Sequence, residues 1–246
     1  MVKKKRNSIV VVHEGYSEGY FIEHISQFSP MHINLQPCYG DSAAHVLNTA
    51  FKRSDCGLRV IAFFDEDFEL IQQRKIEEEA LNSLTKRWGL EPDSLVGVPY
   101  RELQDYNVKH RNPVLAVSWP KSIEGLILCL VGTPEAEIKG KATATLKEKL
   151  SDLLTETVLS PEDEETITFY DNKIKKYNDA IEALAKDATN YKELLKSYNA
   201  KKQELGTKRN AVIFKRFLMT KVDLNVLQAK RNGIKMLDTL LKELGI

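Results

Sequence analysis

Ile9-Val10-Val11-Val12-His13-Glu14-Gly15 and Val60-Ile61-Ala62-Phe63-Phe64-Asp65-Glu66-Asp67 are apolar runs of strand length, and each ends in acid. In an open parallel α/β sheet, ligands bind at the carboxyl ends of the strands. Glu14, Asp65 and Asp67 are therefore expected to meet at one sheet edge. They form an oxygen-only donor set suited to Mg²⁺, with Mn²⁺ as a substitute. That donor set belongs to metal-assisted phosphodiester hydrolysis. Acids also follow strands because Asp and Glu punctuate loops and begin helices, so each run alone supports either reading. Asp65 and Asp67, two apart, share a side of an extended strand, while Glu66 faces away as a bystander. Glu14 reads as a metal ligand or a general base.

Working outward, the first half alternates strand and helix signals. Ser17 is expected to cap a helix carrying Tyr20, Phe21, Ile22 and Ile25. Ile33 to Gln36 reads as a short strand, and Ser42 as the cap of a helix with Val46, Leu47, Ala50 and Phe51 on one face. Ile71 to Trp88 reads as helix, Leu95 to Val98 and Val114 to Val117 as strands, and Ile123 to Val131 as an apolar helix. This rhythm predicts an α/β domain over residues 1–138, with a mostly parallel sheet flanked by helices.

Residues 139–246 change character and read as a helical extension. Ser160-Pro161-Glu162-Asp163-Glu164 is a helix start, with an N-cap, Pro at the first position and acids against the dipole. Ile174, Tyr177, Ile181, Leu184, Ala188, Tyr191, Leu195 and Tyr198 then step by three and four. Leu205 continues the register, with Lys202 at a slot that should be apolar. This spacing predicts a coiled-coil seam. Gly206-Thr207-Lys208-Arg209-Asn210 is expected to break it, and Ile213 to Leu244 to return as the second helix of a hairpin.

The order strand-Glu-Gly, then strand-Asp-x-Asp, resembles the TOPRIM domain shared by topoisomerases, primases and OLD-type nucleases. The run from Val12 to Phe21, with Glu14-Gly15-Tyr16-Ser17-Glu18, is similar to the opening block of RloB-like proteins. Ala116-Val117-Ser118-Trp119-Pro120-Lys121-Ser122-Ile123-Glu124-Gly125-Leu126-Ile127-Leu128 is similar to a later block of that family. Here Trp119 stands where Asn is usual and Ile123 where Phe is usual. The His that closes the family block is missing, with Cys129 or Leu130 near its place. The resemblance covers roughly the first half. It implies a TOPRIM-like fold and a Mg²⁺-dependent endonuclease cutting DNA or RNA, tRNA included. It also implies an antiphage-defence effector, or toxin, controlled by a separate ABC- or AAA-type ATPase.

Beside the three acids, Glu124 is expected to complete a second metal position, although the helix dipole alone favours an acid there. Lys121 is a candidate to neutralise the phosphate in the transition state, or a solvated loop lysine. Ser118 reads as a helix cap, and Glu18 mainly as a first-turn acid serving the dipole. Tyr16 and Tyr20 stand near the expected mouth and could stack on bases or join the core. Asp41-Ser42 is a weak candidate for phosphate contact. Lys201, Lys202, Lys208, Arg209, Lys215 and Arg216 gather at the expected hairpin tip, either to track a phosphate backbone or simply as solvated charge.

The net charge of the 246 residues is +1, so any polyanion site must be a local patch. Cys38, Cys56 and Cys129 form no CxxC, which argues against zinc or a disulfide framework and fits a reducing, cytoplasmic compartment. No apolar stretch approaches the roughly 20 residues that cross a bilayer. Lys3-Lys4-Lys5-Arg6 precedes a strand, not a signal-peptide apolar region, and reads as solvation of that strand or a phosphate contact. P-loop, GxGxxG and GxSxG patterns are missing, so any ATPase must be another chain. The rival reading is a partner-docked module without intrinsic activity, its helical extension serving as the docking arm or joining copies into a homo-oligomer. A primase-like nucleotidyl transferase ranks third.

Overall fold

The computed structural model describes residues 8–38, 43–66, 82, 84–91, 94, 100–184 and 190–246. Four parallel strands, β1 (Ser8–His13), β2 (His32–Pro37), β3 (Val60–Asp65) and β4 (Val114–Ser118), lie in the order β2-β1-β3-β4. The α/β architecture expected from the sequence is present. Every residue of β4 is buried, and all of β3 except its last, because helices cover both faces. The faces are populated by alternation. Phe63 meets Phe21 of α1 (Tyr16–Ser26), ring centroids 6.4 Å apart. Phe64 and Ala62 pack with Val46, Leu47 and Phe51 of α2 (Ala43–Asp55). Register pairs Val12 with Ala62 and Asp65 with Ser118, so the strands that matter end at one edge. α3 (Ile123–Leu130) is buried throughout, and α4 (Thr143–Thr155) follows.

Leu84–Trp88 is helical, as expected. Asn82 is helical too; the rest of the 71–88 helix, the strand at Leu95–Val98, the loop with Asp41 and Ser42, Lys3–Arg6 and Asp67 lie outside the described residues.

The chain divides into one unit of Met1–Ser151 with Val222–Ile246, and a second of Asp152–Lys221. The boundary is thus not the one expected near residue 138. Residues 222–246, read as the second arm of a hairpin, form α7 (Leu224–Lys230) and α8 (Lys235–Leu244) in the sheet unit. They are tied there by polar contacts. His24 Nε2 lies 2.5 Å from the Val222 carbonyl, and Ser29 donates to the Leu244 carbonyl at 2.5 Å. Arg59 pairs with Glu243 at 2.7 Å, and Lys235 with Asp105.

The second unit holds α5 (Pro161–Glu182) and α6 (Tyr191–Lys221), which run antiparallel. The pairing of Arg216 with Asp163 (2.5 Å), Arg209 with Asp171 (2.6 Å) and the Tyr177 and Tyr198 rings (5.8 Å) sets the direction. The start of α5 is as expected, a reciprocal capping box between Ser160 and Asp163 with Pro161 first in the helix. The expected break at Gly206–Asn210 is not there, since α6 runs through it. A mid-helix glycine costs only about 1 kcal/mol, and Glu204 bridges Lys201 and Lys208 across that turn. The interruption falls instead between Glu182 and Tyr191, which leaves Leu184 beyond the end of α5 rather than mid-seam. Among the described residues, no helix is long and apolar enough to cross a membrane.

Candidate active site

β1 ends at His13, and the chain turns through Glu14 and Gly15 into α1. Gly15 is the extended N-cap residue of α1 and makes no side-chain cap, so Ser17 lies inside the helix and does not cap it. Glycine at position 15 leaves room for the Glu18 carboxylate. A Cβ there would sit 2.8 Å from Glu18 Oε2, because the Glu18 carboxylate folds back toward the turn. His13 is buried, and its Nδ1 donates to the Gly15 carbonyl at 2.8 Å. Its ring packs on Gly19, where a Cβ would meet Cε1 at 2.7 Å. Burial pushes the His13 pKa down and keeps the ring neutral.

Asp65, the last residue of β3, stands between two neighbours. Its own N–H donates to Glu14 Oε2 at 3.4 Å, and its Oδ1 accepts from Ile123 N–H, the first amide of α3, at 2.9 Å. α3 is capped by Ser122, whose Oγ accepts from Gly125 N–H; Ser118, expected to cap, ends β4 opposite Asp65 instead. Glu124 is 7% exposed, and its Oε2 has no hydrogen-bond partner among the described residues.

These carboxylates perturb one another. Burial, then the charges of Glu18, Glu124 and Glu14, drive the Asp65 pKa well above the usual carboxylate range, against a smaller opposing effect from Ser118. Burial, with added repulsion from Glu14 and Glu124, raises Glu18 to about 7 even though backbone amides favour its anion. The structure thus brings together Glu14, Asp65 and Glu124 of the expected residues and adds Glu18. It does not bring Lys121 to them: that residue sits in the left-handed region at φ 69°, with Nζ donating to the Lys141 carbonyl at 3.2 Å. Glu66, read as a bystander facing away from Asp65, is buried.

Among the described residues, no group of three or more His, Cys, Asp or Glu side chains is gathered as a ready metal cage. The chemistry of the donor set nonetheless fits a hard divalent cation. Buried, mutually repelling oxygens with one carboxylate oxygen unsatisfied are relieved by positive charge.

The expected basic cluster lies along α6 and not at a tip. Lys201 and Lys208 pair with Glu204, Arg209 with Asp171 and Arg216 with Asp163, while Lys202 is half-buried. Carboxylates thus offset much of that positive charge.

Comparison with models of protein families, with curated proteins and with solved structures finds no match.

Proposed function

We propose that the chain is a divalent-metal-dependent nuclease of TOPRIM-like, RloB-like type, hydrolysing phosphodiester bonds in DNA or RNA. The observation that carries this reading is the convergence of Glu14, Glu18, Asp65 and Glu124 at the carboxyl ends of β1 and β3. Glu14, Asp65 and Glu124, with Asp67, are the residues that would hold Mg²⁺ or Mn²⁺. Bound there, the cation supplies charge neutralisation and acidifies water. Glu14 orients on the Asp65 amide, and the first amide of α3 fixes Asp65. Glu18, buried beside Glu14 and Glu124, is the carboxylate that takes the proton from the attacking water. Water is the nucleophile in this reading.

The test is incubation of the purified chain with plasmid or total RNA in Mg²⁺, Mn²⁺, Ca²⁺ or EDTA, beside Glu14→Gln. Cutting in Mg²⁺ and Mn²⁺ is expected, with none in Ca²⁺, in EDTA or by Glu14→Gln. Activity that survives EDTA or Glu14→Gln sinks the assignment. The antiparallel pair α5–α6 favours a second reading, a coiled-coil docking arm on a module that works only beside a partner such as an ATPase. Silence of the isolated chain, relieved by that partner, distinguishes it.

A further inference from the structure

We propose that the mouth of this site is built for unpaired nucleotides, with Trp119 as the stacking platform for a base; the inference rests on the phosphodiester reading above. Trp119 directly follows Ser118, the β4 residue opposite Asp65. β3, ending in Asp65, lies between β1 and β4. Aromatic residues therefore follow the strands on both sides of β3. Trp119 is on the β4 side. On the β1 side is Tyr16, 48% exposed and stacked with Tyr20 at 6.3 Å between centroids.

The indole is held in place. Trp119 Nε1 donates to Glu135 Oε1 at 3.3 Å, and Lys139 Nζ lies 5.9 Å from the ring centroid. The turn beneath it is equally fixed. Ser122 N–H donates to the Pro120 carbonyl at 2.9 Å. Gly125 lets α3 approach so closely that a Cβ there would lie 2.0 Å from that oxygen. A partly buried indole on a hydrogen-bonded turn offers a pre-positioned aromatic edge and face at little entropic cost.

Lys139 lies beside the Trp119 ring, while Lys121 is engaged on the Lys141 carbonyl. Bases stacked within a duplex cannot offer their faces to a side chain, whereas unpaired bases can. Aromatic residues after the strands on both sides of β3 therefore select single strands, loops or ends, with little preference among sequences.

The chain holds two tryptophans, and Trp88 is 9% exposed and stacked on Tyr106 and His110, so Trp88→Phe leaves Trp119 as the reporter. The probes are oligo-dT and oligo-U of about 12 nucleotides and a blunt duplex of equal length. Each is titrated in Ca²⁺ by Trp119 fluorescence and, with otherwise native chain, by anisotropy of labelled strands. Either single strand should quench Trp119, and their relative affinities separate DNA from RNA. Trp119→Ala should bind single strands about 10-fold or more weakly, and Trp119→Phe should restore most of the loss. Unchanged affinity in Trp119→Ala, tighter binding of the duplex, or no binding of any probe overturns the proposal. Binding is read without cleavage, so the two readings fail separately. Trp119-dependent binding without hydrolysis in Mg²⁺ sinks the nuclease alone, and hydrolysis indifferent to Trp119 sinks the platform alone.

Discussion

Glu18→Gln should stabilise the protein, and only at neutral to alkaline pH. Glu18 is 5% exposed, and its pKa is lifted from 4.5 to about 7. The folded chain thus holds this proton more tightly than the unfolded chain. Stability from Glu18 is fully present below about pH 4.5, falls as pH rises toward 7 and stays lost above it. The gap between 4.5 and about 7 corresponds to about 3 kcal/mol. Gln keeps the shape and the acceptor oxygen but has no charge to repel Glu14 and Glu124. Thermal unfolding in EDTA should place the variant about 6–12 °C above wild type at pH 8, with little difference at pH 4.5. Adding Mg²⁺ should narrow the gap at pH 8, since a bound cation relieves the same repulsion. A variant equally stabilised at both pH values, or destabilised at pH 8, would refute the placement of Glu18 among the acids.

Two further perturbations test the packing. Gly125→Ala forces a methyl to within 2.0 Å of the Pro120 carbonyl oxygen, so it should cost about 1–3 kcal/mol in denaturant unfolding; wild-type stability would show that the turn gives way freely. Ile174→Asp puts a charge on the half-buried line of α5 that includes Tyr177, whereas Leu184 lies past that helix. Limited proteolysis should open new cuts within residues 161–221 for Ile174→Asp and none for Leu184→Asp, and identical digestion of the two would count against the register described above.

The sheet was legible because parallel strands covered on both faces must be apolar at successive positions, and Ile9–Val12 and Val60–Phe64 are so. The start of α5 was legible because Ser160, Pro161 and Asp163 each satisfy a helix N-terminus locally. Glu18 is the first-turn acid expected, but its carboxylate neighbours were not legible, because such an acid reads the same whether it faces water or other carboxylates. The deciding signal is the pair of glycines, Gly15 and Gly19, that let the Glu18 carboxylate and the His13 ring close in. Gly206 misled because a glycine can end a helix or merely weaken one, and only the ion pairs around it decide. The spacing of Leu227, Leu237, Leu241 and Leu244 describes an apolar face without naming its partner. That face serves the sheet unit, as the contacts of Val222, Lys235, Glu243 and Leu244 show.

The sheet unit is discontinuous in the chain, its parts separated by the whole of Asp152–Lys221. A ribosome making this protein therefore delivers the acids of β1 and β3 first and the two helical arms next. Only afterwards does it deliver the segment that docks on His24, Ser29 and Arg59. The sheet unit is therefore complete only once α7 and α8 have left the ribosome, so its folding as a whole waits for the last residues made.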